Sequence, residues 1–169
     1  MPQGSYKVLF LCTGNSCRSI LAESILNRIG HGRFKGYSAG SQPTGQVNPY
    51  TIELLQRFDH PTDDLRSKSW DEFAGADAPQ MDFVVTVCDQ AAGEVCPVWP
   101  GKLATAHWGF PDPAKFEGPE EQKRKFFTAV YGQIANALAA FVTLPIESLE
   151  ENELKNKLAE IGDAISQRV

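Results

Sequence analysis

The apolar run Lys7-Val-Leu-Phe-Leu-Cys12 stops at Thr-Gly-Asn-Ser-Cys-Arg18-Ser19, and beyond it Ile20, Leu21, Ile25, Leu26 and Ile29 keep a helical face. A short apolar run without alternation, closed by a glycine turn, reads as a strand buried on both sides, as in a parallel sheet. Parallel strands need covered crossovers, so strand, tight loop and helix in that order point to a layered α/β structure with this strand near its centre. A helix is predicted from about Ser19 to Ile29, with Gly30 and Gly32 as its stop.

The remaining chain repeats the alternation. Gly36-Tyr-Ser-Ala-Gly40 reads as a short strand, and Asn48-Pro49 opens a second helix carrying Ile52, Leu54, Leu55 and Phe58. Phe83-Val-Val-Thr-Val-Cys88 is the second strong strand, ending on a cysteine like the first, and Ala104–Trp108 is a shorter one before the loop Gly109-Phe-Pro-Asp-Pro113. Pro119-Glu-Glu begins a long helix whose Phe126, Phe127, Val130, Ile134, Leu138 and Phe141 are core positions. Ser148-Leu-Glu-Glu151 has the form of a capping box opening a last helix on Leu154, Leu158, Ile161 and Ile165. The length of 169 residues fits one domain over 1–169, with a helical extension at about 146–169 that either packs on its own domain or meets a partner subunit.

Lys and Arg number 16 against 21 Asp and Glu, a net charge of −5. That balance gives no general attraction to nucleic acid or to an anionic membrane, so neither is an expected partner, and any anion must be captured locally. Four cysteines, Cys12, Cys17, Cys88 and Cys96, are too few for a disulfide scaffold and fit a reducing compartment. No basic leader precedes an apolar stretch, and no run approaches the ~20 apolar residues of a membrane span, so a cytoplasmic location is expected. The cysteines lack a Cys-x-x-Cys pair and no histidine is spaced to complete a zinc site, so no metal is assigned. His31 and His60 read as surface residues near helix ends.

Local anion capture is what the first loop offers. Between Cys12 and Arg18 the residues Thr13, Gly14, Asn15, Ser16 and Cys17 turn from strand to helix, which brings backbone N–H groups together as an anion nest under the positive end of the helix. Arg18 adds a planar two-pronged donor suited to a tetrahedral oxyanion. The same field favours the thiolate of Cys12, a nucleophile near neutral pH, whereas the side chain of Cys17 is expected to be structural.

The block VLFLCTGNSCRS followed by LAES resembles the low-molecular-weight protein tyrosine phosphatase superfamily, and CTGNSCRS is closest to its arsenate reductase branch. The similarity runs from about Lys7 to Phe141 through YSAG at Tyr37–Gly40, VNP at Val47–Pro49, VVTVC at Val84–Cys88, CP at Cys96-Pro97 and HWGFPDP at His107–Pro113. It implies a three-layer fold, a four-stranded parallel sheet with helices on both faces. It also implies Cys12 as nucleophile, Thr13–Arg18 as oxyanion cradle, Ser19 as hydrogen-bond donor to the Cys12 sulfur, and Asp112 as general acid. Thioredoxin-coupled relatives can hold a structural potassium ion near the loop. Asn15, Glu23 and Ser38 match positions implied there, but Arg66-Ser-Lys-Ser-Trp-Asp71 departs from the pattern.

A phosphatase hydrolyses its cysteine adduct with water, whereas arsenate reduction needs further thiols. In a parallel sheet the ends of the strands share one edge, so Cys88 can lie near the Cys12 loop. Cys96 follows eight positions later, across a segment containing a glycine. The implied relay forms Cys12–Cys88, then Cys88–Cys96, without a tightly bound cofactor. An external thiol system, thioredoxin or glutathione with glutaredoxin, would then reduce the second bond. The cysteine pair stands one residue further apart than in that family pattern, which leaves the reductant open. The alternatives are a tyrosine phosphatase, disfavoured because Pro-Ala-Lys-Phe116 rather than a wall of aromatics follows Asp112, and a non-catalytic oxyanion-binding regulator, which would need neither Asp112 nor a thiol pair.

Overall fold

A computed structural model describes residues 5–89, 99 and 102–166. Four strands, β1 (Tyr6–Cys12), β2 (Phe34–Gly40), β3 (Phe83–Thr86) and β4 (Ala104–His107), form one parallel sheet in the order β2-β1-β3-β4. The helices are α1 (Arg18–Ile29), α2 (Pro49–Arg57), α3 (Glu120–Val142) and α4 (Glu151–Ser166). Asn48 caps α2 by accepting the Tyr50 N–H at 2.9 Å, ahead of Pro49 at the first helical position. Glu120 and Glu121 in the first turn of α3 oppose its positive end.

Alternation along β1 sends its side chains into two cores. Val8, Phe10 and Cys12 join Phe83, Val85 and Val87 against α1, α3 and α4, with α2 packed on α1 and α3. Leu9, Leu11, Ala39 and Val84 face the other way, toward Met81, Trp99 and a 3-10 helix at Trp70–Phe73. The layering is that of the expected three-layer fold, with a short 3-10 helix serving the second face. No helix among the described residues is long and apolar enough to cross a membrane.

Several boundaries differ from the sequence reading. β2 begins at Phe34 rather than Gly36, because Phe34 pairs with Tyr6 and packs its ring 4.9 Å from that of Phe141. β3 ends at Thr86, two residues before Cys88, since both neighbours turn away there: Cys12 enters its loop and Trp108 leaves β4 for α4. The last helix starts later than Ser148, which is used in a 3-10 turn at Ile146–Ser148; the Glu153 carboxylate instead accepts the Glu150 N–H at 3.0 Å. α4 packs on its own sheet edge through buried Leu154, Leu158 and Ile165, and the Trp108 indole donates to the Leu158 carbonyl at 3.1 Å. His60 is buried rather than exposed, bonded to the Tyr131 hydroxyl at 2.7 Å, because α3 passes over the end of α2.

Phe141 is fully buried, with ring centres of Phe34, Phe83 and Trp108 at 4.9, 5.3 and 5.9 Å. Phe141→Ala is expected to lower the unfolding free energy by about 3–5 kcal/mol, read as a fall in the urea midpoint at unchanged m-value.

Candidate active site

The chain runs from β1 outward to β2 and returns past β1 to β3, so the carboxyl end of β1 lies at the point where the winding reverses, the usual place for a ligand crevice. Cys12 ends β1 at this point. The loop that follows has its carbonyls tied to a surrounding shell. Cys12 O accepts from Ser41 N–H at 3.3 Å, Thr13 O from Gln42 N–H at 2.9 Å, and Gly14 O from Thr44 N–H and Ser67 Oγ, both at 3.0 Å. Ser16 O accepts from Asn48 N–H at 3.1 Å and Thr51 Oγ1 at 3.0 Å. In a planar trans peptide the C=O and the next N–H point in opposite directions. Outward carbonyls therefore turn the N–H groups of Thr13, Gly14, Asn15 and Cys17 inward. Gly40 is required beside this loop, since a methyl there would collide with the Thr13 carbonyl oxygen.

The Cys12 sulfur lies 3.0 Å from Ser19 Oγ and accepts the Asn15 N–H at 3.2 Å. Asn15 adopts a left-handed backbone, φ 49°, which asparagine tolerates better than most residues, and its Nδ2 donates to Ser19 Oγ at 2.8 Å. Arg18 opens α1, is buried, and donates through Nη1 to Phe110 O at 2.9 Å and Val87 O at 3.4 Å. Its Nη2 stands 3.5 Å from Asp112 Oδ2, while Asp112 Oδ1 accepts the Ala114 N–H at 3.0 Å. A cleft of about 630 Å³ opens between the loop, Ser41 to Thr44 and the Asp112–Lys115 segment. Such an arrangement can hold a tetrahedral oxyanion over a thiol, with a carboxyl group at the rim to give or take a proton.

Arg18 joins the loop to the segments that carry Cys88 and Asp112, since its two carbonyl acceptors are Val87, next to Cys88, and Phe110, two residues before Asp112. The register that sets Leu11 opposite Thr86 places Cys88 just past the end of β1. Cys88 is fully buried and disulfide-bonded, whereas Cys12 and Cys17 are free thiols. Cys96 lies outside the described residues. The Cys17 thiol is pushed up to about 11 by burial and bonds to Ser16 Oγ at 3.8 Å, so it stays protonated at neutral pH.

Residues 7–157 match the family described as low molecular weight phosphotyrosine protein phosphatase. The chain belongs to this family. Among the relatives of this phosphatase-family chain, an arsenate reductase of Bacillus subtilis strain 168 is 37% identical over 134 residues, covering 79% of this chain and 93% of its own. An arsenate reductase structure from Archaeoglobus fulgidus superposes with a TM-score of 0.61 at 25% identity, covering 78% of this chain and 98% of its own. The Erwinia amylovora tyrosine phosphatase amsI also gives a TM-score of 0.61, at 23% identity, covering 82% and 92%. Equal scores for two differently named enzymes mean that the fold does not choose between reduction and hydrolysis.

The positions implied for potassium, Asn15, Glu23 and Ser38, do converge beneath the loop, but they do not fit a metal ion. Ser38 Oγ donates to Glu23 Oε1 at 2.6 Å, Asn15 Oδ1 accepts the Lys68 N–H at 2.8 Å, and the Lys68 ammonium stands 3.4 Å from Ser38 Oγ and 3.9 Å from Glu23 Oε1. Sequence reasoning passed over Ser67 and Lys68, which sit in a polar stretch that looks like an exposed loop. The one signal was that this stretch departs from the family pattern.

Proposed function

We propose that this chain is an arsenate reductase that works by a thiol relay. The carrying observation is the state of the sulfurs: a free Cys12 thiol inside an anion-binding loop, and a disulfide-bonded Cys88 on the neighbouring strand end. Hydrolysis of a cysteine adduct by water needs no second sulfur beside the nucleophile, and relatives named arsenate reductase agree with the reading.

In the proposed sequence the Cys12 thiolate attacks arsenic while Asp112 protonates the departing oxygen, which leaves as water. The Cys88 thiolate then attacks the Cys12 sulfur. The electron pair of the breaking S–As bond stays on arsenic, which leaves as arsenite, and a Cys12–Cys88 disulfide forms. The Cys96 thiolate attacks Cys88, releasing the Cys12 thiolate and forming Cys88–Cys96. A dithiol protein of the thioredoxin or glutaredoxin class returns two electrons, in the reducing cytoplasm where such proteins act. The backbone amides of Thr13 to Cys17 and the Arg18 guanidinium hold the arsenate, with Ser19 and Asn15 orienting the Cys12 sulfur.

Stoichiometry tests the proposal. Fully reduced protein mixed with excess arsenate, without any external thiol, is expected to release one arsenite per chain and lose two titratable thiols. A phosphatase-like cycle would release none and keep every thiol, which would overturn the reading.

A further inference from the structure

Lys68 is only 9% exposed, an uncommon state for lysine unless its charge is met. Its ammonium sits among oxygens from three separate parts of the fold. It donates to the Arg66 carbonyl at 3.0 Å and to Ser38 Oγ on β2 at 3.4 Å, and it lies 3.9 Å from Glu23 Oε1 on α1. Burial pushes Lys68 down and Glu23 up, and each opposite charge works against the other's burial. The backbone of the same residue reaches the loop: Lys68 N–H donates to Asn15 Oδ1 at 2.8 Å. Asn15 in turn spends its N–H on the Cys12 sulfur and its Nδ2 on Ser19, from a left-handed backbone that needs outside support.

We infer that Lys68 is a built-in monovalent cation, a positioning residue that fixes Asn15 and through it the anion loop, so that oxyanion binding needs no dissociable potassium. This rests on the reading of the Cys12 loop as an oxyanion cradle. A compact oxygen cage around a single positive charge is also what a free monovalent cation would need. Removing the side chain while keeping the cage should therefore create a cation requirement where none exists.

The test is inorganic phosphate binding by calorimetry, in potassium chloride and in choline chloride at equal ionic strength, with wild type, Lys68→Ala and Lys68→Met. Wild type is expected to bind equally in both salts. Lys68→Ala is expected to bind about ten-fold more weakly in choline, the usual loss when a supporting contact goes, and to regain most of that in potassium or methylammonium. Lys68→Met, whose stem fills the space without a charge, should be weak in both. Wild-type affinity that rises with potassium, full affinity of Lys68→Ala in choline, or a Lys68→Ala deficit that no cation repairs would each overturn the inference. If Lys68→Ala does not fold, Lys68→Met carries the test, and binding as tight as wild type refutes it. A wild type that binds no phosphate refutes the cradle instead. Melting temperatures then decide, with potassium stabilising Lys68→Ala but not wild type, and the opposite pattern overturning the inference.

Discussion

Cys88→Ser is expected to abolish sustained arsenate reduction, by at least about 10³-fold, while phosphate binding and any hydrolysis of a small aryl phosphate stay within about twofold of wild type. A serine hydroxyl cannot attack the Cys12 sulfur, so the arsenic adduct has no route to arsenite and returns to arsenate by hydrolysis. Capture of the tetrahedral anion is assigned to the loop amides and Arg18, and Arg18 is held on this side by the Val87 carbonyl, a backbone group that a substitution at Cys88 leaves in place. Arsenite release coupled to the oxidation of a nicotinamide reductant, run in parallel with thioredoxin and with glutaredoxin, gives the first readout. The wild-type arms of the same assay identify the reductant. Arsenate turnover that survives in Cys88→Ser would refute the relay. Loss of reduction together with loss of phosphate binding would assign Cys88 to packing instead, since it is fully buried.

Most of the fold could be read from local pattern because its signals are local. Lys7 to Cys12 is apolar without alternation, Asn48-Pro49 caps and starts α2 residue for residue, and the spacing of Phe127, Val130, Ile134, Leu138 and Phe141 marks the buried side of α3. Errors arose where a partner far along the chain sets the boundary. β2 extends back to Phe34 because Tyr6 and Phe141 meet it there, and His60 is buried because Tyr131 covers it from 71 residues away. The site divides in the same manner. Cys12, the loop and Arg18 are contiguous and stood out, and Asp112 was reached through family resemblance; the structure brings Arg18 and Asp112 to 3.5 Å. Ser67 and Lys68 support the loop from more than fifty residues away, through Gly14 O and Asn15 Oδ1, and polar residues in a short loop carry no mark of being buried under another segment.

Cys12→Ser is expected to remove both arsenate reduction and aryl phosphate hydrolysis, by at least about 10⁴-fold in kcat, while inorganic phosphate binds about as tightly as to wild type. The split follows from which atoms do what. Binding rests on inward N–H groups and on Arg18, held by Ser41, Gln42, Thr44, Asn48, Phe110 and Val87; of these groups the Asn15 N–H also meets the Cys12 sulfur, and a serine oxygen can accept that bond in its place. Attack on the central atom rests on that sulfur alone, and a serine hydroxyl at neutral pH is a far weaker nucleophile without a base beside it. Cys17→Ser is the matched control, a thiol in the same loop at the start of the same helix. With its thiol held at about 11, only about one Cys17 in 10⁴ is ionised at pH 7, so this variant is expected to keep reduction within a few-fold of wild type. Iodoacetamide at pH 7 should for the same reason label Cys12 ahead of Cys17, with phosphate slowing the first reaction only. Residual turnover in Cys12→Ser, or inactivation by Cys17→Ser with phosphate binding intact, would move the nucleophile to Cys17 and leave the contacts at the Cys12 sulfur without a catalytic purpose.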